Sequence, residues 1–437
     1  MKKSYRWPAA VFCLLLATSG ATSYTYAQEE PAVVASDLLN PISVFADESG
    51  NVWVSESGTG NADSRIQVIT PEGEIFPVVD GFPSEVVMGD VIGITRLFFE
   101  NGNLVFLQGE GTDTLSASLI TIDTTGFVFG GDPFDLSAID SVFNIGEFSL
   151  GQGAETTNPY SLTRGPDGDL FIVDAGANAV FRYHEEGDSL SVFARFDNIV
   201  NPTPVGPPMI HAVPTDIIFR DDRFYVSQLT GFPFLDSVAT VFEVDLEGNV
   251  TPLQEGLTLV VDIALDPRDS VLVVLQHGRF SPDSGFLPGT GMVLRLEEGG
   301  IDTLITGLNR PTGLSFASDG TLYVASLVDG TVTRYPASIT TDTEEDSSIP
   351  EAFTLEQNYP NPFNPTTSIE FSLREAGRAQ LIVYDILGRE VTRLLDGALP
   401  AGNHVVTWTA EGMPSGVYLY RLTFGDNTRT RSMVLMK

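Results

Sequence analysis

The stretch Asn158-Pro159-Tyr160-Ser161-Leu162-Thr163-Arg164-Gly165-Pro166-Asp167-Gly168-Asp169-Leu170-Phe171-Ile172-Val173 decides the fold. A proline opens a short aromatic and apolar segment, an Asp-Gly turn reverses the chain, and an apolar strand follows. The same unit recurs along the chain. Asn40-Pro41-Ile42-Ser43-Val44-Phe45 leads to Gly50-Asn51-Val52-Trp53-Val54, and Pro214-Thr215-Asp216-Ile217-Ile218-Phe219 leads to Arg223-Phe224-Tyr225-Val226. Pro311-Thr312-Gly313-Leu314-Ser315-Phe316 leads to Asp319-Gly320-Thr321-Leu322-Tyr323-Val324. Two weaker copies, Gly93-Ile94-Thr95-Arg96-Leu97-Phe98 with Asn103-Leu104-Val105-Phe106 and Val261-Asp262-Ile263-Ala264-Leu265 with Ser270-Val271-Leu272-Val273-Val274, bring the units to six.

Third strands are predicted over 64–69, 117–122, 179–183, 239–244, 292–296 and 331–335, and fourth strands over 75–79, 191–196, 250–253 and 302–305. Short strands with turn chemistry between them and no helical periodicity call for an all-β architecture. A repeat of about 50 residues is the length of one propeller blade. The last unit reaches Tyr335 without a fourth strand of its own, whereas Ala32-Val33-Val34-Ala35-Ser36 stands unpaired before the first unit. Pairing these ends closes a ring and removes two β-edges that invite aggregation. The expected fold is a six-bladed β-propeller over 28–336, closed by its N-terminal strand, in preference to an open stack of sheets.

Outward from the repeats, Lys2, Lys3 and Arg6, the apolar run Ala9 to Ala17 and Thr25-Tyr26-Ala27 have the layout of a secretory signal peptide over 1–27. The run falls short of the roughly 20 residues that span a bilayer, and no later segment is long and apolar enough to be a transmembrane span. The single cysteine, Cys13, lies inside it, so the mature chain is expected to carry no disulfide and no thiolate ligand. Acidic residues number 58 against 23 basic, for a net charge of -35. Such a surface repels nucleic acid and anionic membrane. Lysine occurs only at Lys2, Lys3 and Lys437, a pattern that suits a halophilic acidic surface whose self-repulsion is screened by salt; the alternative is an acidic surface that recognises a ligand. Residues 337–352 read as an acidic linker, and strands over 367–373, 378–384, 402–408, 416–423 and 428–435 predict a small immunoglobulin-like β-sandwich over 353–437.

Two resemblances follow. Residues 353–437 resemble the type A C-terminal sorting domain of the type IX secretion system through Leu355-Glu356-Gln357-Asn358-Tyr359-Pro360-Asn361-Pro362-Phe363-Asn364-Pro365, Val383-Tyr384-Asp385-Ile386-Leu387-Gly388 and Gly416-Val417-Tyr418-Leu419-Tyr420. The resemblance implies a diderm bacterial source and handling by the type IX secretion machinery. It also implies translocation through the outer membrane to a secreted or cell-surface location, then removal of the domain and either attachment to surface lipopolysaccharide or release. An adhesive immunoglobulin-like module that stays on the chain is the alternative. From about Val33 to Tyr335 the chain resembles the ScyD/ScyE family, named after genes beside those for the pigment scytonemin, and more distantly NHL-type propellers. The matching residues are Asn158-Pro159-Tyr160, Val173 to Val180, Val213-Pro214-Thr215, Gln228 to Phe234, Gly256-Leu257-Thr258 and Val260-Val261-Asp262. This family implies a fold and no reaction. Asp47-Glu48-Ser49-Gly50 departs from it, standing in place of a Pro-Asp-Gly turn.

In a propeller the residues at the start of each inner strand gather around one mouth of the central channel. Here these are Asn158, Tyr160, Thr215, Asp216, Asp262, Thr312 and, from a neighbouring loop, His211. They are the candidate ligand-binding residues for an unidentified extracellular ligand. No cofactor is expected; the alternative is a divalent cation such as calcium on Asp216 and Asp262, serving a hydrolase or lactonase. Against that stands a bracing role, in which both carboxylates accept backbone hydrogen bonds between blades. A structural envelope component without a pocket is the third reading. Asp174-Ala175-Gly176-Ala177-Asn178 reads as a turn, and Gln228 to Phe234 as an apolar loop that covers the mouth, meets a partner or packs. His277, just after a second strand, can face the mouth, while His184 and His404 read as surface residues. No Gly-x-Ser-x-Gly, His-Glu-x-x-His, phosphate loop or EF-hand spacing occurs.

Overall fold

The structure, a computed structural model, describes residues 30–435 apart from 88, 101, 298, 338–352, 356, 359–360, 362, 364, 374–376, 386–388, 400–401, 411 and 426. The signal segment and nearly all of the linker therefore lie outside the described residues. Two compact units meet in sequence at Thr340 and Thr341, and each is described by itself.

Among the described residues of the first unit there are six four-stranded antiparallel sheets. Blade 1 is Pro41–Ala46, Val52–Glu56, Ser64–Ile69 and Ile75–Phe82. Blade 2 is Ile94–Glu100, Asn103–Gln108, Ser118–Asp123 and Ile139–Asn144. Blade 3 is Pro159–Arg164, Leu170–Asp174, Ala179–His184 and Ser189–Arg195, and blade 4 is Pro214–Arg220, Arg223–Gln228, Ala239–Val244 and Val250–Leu257. Blade 5 is Val260–Leu265, Leu272–Gln276, Gly291–Glu297 and Gly300–Leu308. Blade 6 is Pro311–Phe316, Leu322–Ser326 and Thr331–Tyr335, completed by Ala32–Ala35, which pairs antiparallel with Thr331–Tyr335. Each inner strand packs on the next, and the sixth packs on the first. The result is a closed β-propeller.

One hydrogen bond shows that the six copies share a geometry. The amide just after each second strand donates to the carbonyl just before the inner strand: Ser57 to Asn40, Gly109 to Gly93, Ala175 to Asn158, Leu229 to Val213, His277 to Leu259 and Leu327 to Arg310, at 2.9–3.1 Å. The register of every inner strand also shifts within its opening residues, as a β-bulge does. Asp47 explains the departing turn of blade 1, because its carboxylate accepts from the Ser49 and Asn51 amides and from Trp53 Nε1. The fourth strand of blade 2, not predicted, follows the long segment 124–138 and is mostly exposed, so it lacks the apolar alternation that marks a strand.

Antiparallel pairing puts the start of each inner strand and the end of each second strand on one face. Almost every long connection lies there: the hairpin Glu85–Val87 with Asp90–Ile92, the helix Ile145–Gly151, the hairpin Ile199–Val200 with Met209–Ile210, and the loops 229–238 and 277–290. Apart from 124–138, the opposite face carries short turns such as 165–169 and 221–222. The rigid sheets thus present one elaborated surface, where binding residues concentrate in such scaffolds.

In the second unit Thr354–Leu355, Thr366–Leu373 and Gly402–Thr409 form one sheet, and Glu390–Leu399, Gly377–Asp385, Gly416–Phe424 and Asn427–Leu435 the other. Phe371, Leu381, Tyr420 and Met433 fill the core between them, as in an immunoglobulin-like sandwich. Asn358 links the two sheets, since its amide donates to Tyr420 Oη at 2.7 Å and its Nδ2 to Thr367 Oγ1 at 2.9 Å. The strand Glu390–Leu399, not predicted, contains Asp396-Gly397, which reads as a turn.

Candidate functional site

Counted from their first residues, the inner strands carry Ser43, Arg96, Ser161, Asp216, Asp262 and Gly313 at one level of the channel. Ile42, Thr95, Tyr160, Thr215, Val261 and Thr312 stand one residue earlier. Arg96, from blade 2, crosses the axis. Its Nε donates to Ser161 Oγ at 3.0 Å and its Nη2 to Asp262 Oδ1 at 2.8 Å, and the same Nη2 pairs with Asp216 Oδ1. The remaining carboxylate lone pairs take amides of the following blade, Ile263 N to Asp216 Oδ2 at 3.0 Å and Leu314 N to Asp262 Oδ2 at 2.7 Å. Hydroxyls continue the circuit: Ser161 to Asp216, Thr215 to the Val260 carbonyl, Thr312 to the Pro41 carbonyl, Ser55 to the Thr95 carbonyl and Thr95 to the Pro159 carbonyl. At Gly313 a Cβ would lie 2.8 Å from Ser43 Cα, so glycine is the residue that lets blade 6 approach blade 1.

Asp216 and Asp262 are each 1% exposed, so their charges need compensation. Burial opposes the charge of Arg96, yet Asp216 and Asp262 outweigh it and hold the guanidinium above its ordinary pKa. Burial also raises Asp216, but Arg96 and the hydrogen bonds it accepts bring it below the usual carboxylate value. Asp262 goes the other way: burial pushes it well up and the neighbouring Asp216 adds to the rise, against the pull of Arg96. The two buried acids thus share one guanidinium, and their titrations are coupled to each other. Tyr160 stands beside Arg96 and Asp262, and burial raises its phenol as well. The void left among Ile42, Thr95, Tyr160, Arg96, Asp262 and Thr312 offers about 10 Å³ to the centre of a water, room for about one molecule.

Five of the seven predicted site residues, Tyr160, Thr215, Asp216, Asp262 and Thr312, lie at the axis, and all but Tyr160 bond there to the following blade. Asp216 and Asp262, the residues of the metal reading, turn into the blades and accept backbone amides, and the cation between them is Arg96. Among the described residues no group of three or more His, Cys, Asp or Glu side chains is arranged to hold a metal ion. Asn158 and His211 lie apart from that cluster. Asn158 Oδ1 accepts from the Glu110 amide at 3.2 Å, and His211 Nδ1 lies 3.1 Å from Asn178 Nδ2. Asp174 accepts from the Asn158 and Ala177 amides, as a turn residue does. Arg96 is the axial residue that the sequence reading did not single out; its strand position, level with Asp216 and Asp262, was the available signal.

Above the sealed axis the mouth is built from the rims of blades 4 and 5. Phe234 lies 5.1 Å from Phe280 and 5.5 Å from Phe286, and Phe232, 43% exposed, lies 6.1 Å from Phe234. The guanidinium of Arg310 stacks 4.4 Å over Phe286. Its Nε donates to His277 Nε2 at 3.0 Å, and His277 Nδ1 donates to the Pro311 carbonyl at 2.9 Å. Burial, with the Arg310 charge second, brings His277 down to about 4, so the imidazole is neutral and able to accept. Beside this wall a hollow of about 220 Å³ is lined by Thr203, Val205, Pro233, Phe234, Asp236 and Phe280. A larger cavity, about 350 Å³, lies between blades 2 and 3 toward the short-turn face. Its charged groups answer one another there, with Arg164 paired to Glu100 and Glu185, and Tyr183 Oη donating to Asp188.

Residues 357–436 match the family described as "Secretion system C-terminal sorting domain". Such a domain indicates export to the cell surface or secretion, with handling by the type IX machinery. No helix among the described residues is long and apolar enough to cross a membrane. No curated protein matches the chain. Among solved structures, one similar fold is a structural-genomics protein of unknown function from Bacteroides thetaiotaomicron, 12% identical, covering 70% of this chain and 72% of that one with a TM-score of 0.46. Another is a catalytically inactive virginiamycin B lyase from Staphylococcus aureus with quinupristin, at 15%, 70%, 97% and 0.42 for the same quantities. A third is PorZ of Porphyromonas gingivalis, an essential surface component of the type IX secretion system, at 12%, 92%, 74% and 0.31. These are likenesses of general form, and the propeller assignment rests on the sheets themselves.

Proposed function

We propose that the chain is an exported binding protein whose ligand seat is the loop-bearing mouth of the propeller, and that it performs no metal-dependent chemistry at the axis. One observation carries this reading. The face that holds nearly all long connections also holds the aromatic wall Phe232, Phe234, Phe280 and Phe286 with the Arg310 guanidinium on it, while the axis beneath is filled. Exposed aromatics with a few oriented polar groups are what a small-molecule or glycan seat requires. The resemblance to the ScyD/ScyE family supports the propeller and supplies no substrate. Signal-peptide cleavage after Ala27, later removal of 353–437, and release or attachment to lipopolysaccharide complete the proposed route.

The test is a glycan and metabolite array probed in high salt with the full chain and with a Phe234→Ala, Phe280→Ala double variant. Ligands retained by the wild type and lost by the variant support the seat. Ligands retained by both place binding elsewhere, and an empty array favours a structural envelope component.

A further inference from the structure

Asp90 belongs to the hairpin Glu85–Val87 with Asp90–Ile92, which springs from the junction of blades 1 and 2. The base of this hairpin is fixed, because the Glu85 carboxylate accepts from the amides of Thr112 and Asp113 and from Thr112 Oγ1. Its far end reaches over the mouth. Asp90 Oδ1 lies 3.7 Å from Nη2 of Arg310, a residue of the junction between blades 5 and 6, two junctions round the ring, and the Asp90 charge also acts on Tyr160 of blade 3. At 3.7 Å the pair is an ion pair without a hydrogen bond, and Asp90 is 71% exposed.

Arg310 has its Nε side committed to His277 and its flat face to Phe286, which leaves the paired Nη edge directed at the mouth. A guanidinium held that way presents a fork that fits a carboxylate with two parallel hydrogen bonds. On a chain with a net charge of -35, that fork sits against an aromatic wall and, among the described residues, has only the loosely placed Asp90 as ion-pair partner. Resting on the binding function proposed above, we infer that the mouth takes a ligand with an aromatic or apolar body and a carboxylate, which replaces Asp90 at Arg310, so that the hairpin is an internal competitor for the site.

The experiment titrates the full chain with 4-phenylbutyrate and with its neutral counterpart 4-phenylbutan-1-ol, followed by ligand-observed NMR at fixed ionic strength. A charge-assisted bidentate contact predicts that the wild type prefers the acid by about tenfold. Asp90→Asn should strengthen binding of the acid about threefold or more and leave the alcohol unchanged. Because this is a gain, misfolding does not imitate it. Arg310→Gln should bring the ratio of acid to alcohol affinity down to about one. Equal affinity for acid and alcohol, or no gain in Asp90→Asn, overturns the carboxylate inference and leaves the binding mouth standing. Failure of both probes to bind any variant overturns the mouth as the seat and the inference with it.

Discussion

Arg96 and Arg310 both stand near the propeller axis, and the contrast between them separates structure from site. Arg96 has Ser161 on its Nε and two buried carboxylates on its Nη groups, each carboxylate further bonded by an amide of the next blade. Arg310 has one neutral acceptor, His277, one aromatic face and one distant, exposed carboxylate. A network that spends most of its polar groups on neighbouring blades holds the ring together. An unfilled fork on a wet rim contributes little to stability and retains what a ligand needs.

The largest expected effect breaks the first half of this contrast. Arg96→Met leaves Asp216 and Asp262 buried without their cation and should destabilise the propeller by about 3–5 kcal/mol, read as a lower urea midpoint. Asp216→Asn should be the more damaging of the two acid substitutions. Arg96 and its hydrogen bonds hold Asp216 below the usual carboxylate value, whereas burial holds Asp262 well above it. Equal midpoints for Asp216→Asn and Asp262→Asn would show that the two acids share the guanidinium evenly.

The next effect belongs to His277 and joins the two regions, since it links blades 5 and 6 and orients Arg310. Burial depresses its pKa to about 4 in the folded chain, against an ordinary 6.5. A depressed value means that the folded state binds its proton less readily than the unfolded one. The stability it contributes is therefore complete above about pH 6.5 and is lost as pH falls toward 4, amounting to about 3 kcal/mol. His277→Gln keeps an acceptor for Arg310 and removes the titration. Its stability should fall less steeply than that of the wild type between pH 6.5 and 4, and parallel curves would reject the neutral imidazole.

How much of this was legible in the sequence follows the same division. Strands with regular alternation and a turn at each end were placed to within a residue or so, as at 64–69, 239–244 and 331–335. Ile139–Asn144 and Glu390–Leu399 escaped because exposure or an internal Asp-Gly hid their pattern. The axial position of Asp216 and Asp262 was legible because the repeat fixes the level of each inner-strand residue. Arg96 could have been found by the same alignment, but its copy of the repeat is weak. At the mouth the Gln228 to Phe234 loop and His277 stood out in the sequence, whereas Phe280, Phe286, Arg310 and Asp90 did not. These residues come from four connections whose lengths carry no repeat, and only the closed ring brings them together.

The smallest expected effect tests whether the hairpin is a strap or an occupant. Asp90→Asn removes an exposed charge 3.7 Å from its partner, and pairs of that kind commonly contribute nothing measurable to folding. Its urea midpoint should coincide with that of the wild type, while Arg310→Gln, which alters the donor to a buried imidazole, should lower the midpoint by about 1 kcal/mol of stability. If Asp90→Asn instead destabilises the chain as much as Arg310→Gln does, the hairpin is fastened across the mouth as part of the ring's bracing. Arg310 would then resemble Arg96 in kind, a second cross-brace at the surface, and the difference between a sealed axis and an open mouth would be one of solvent exposure alone.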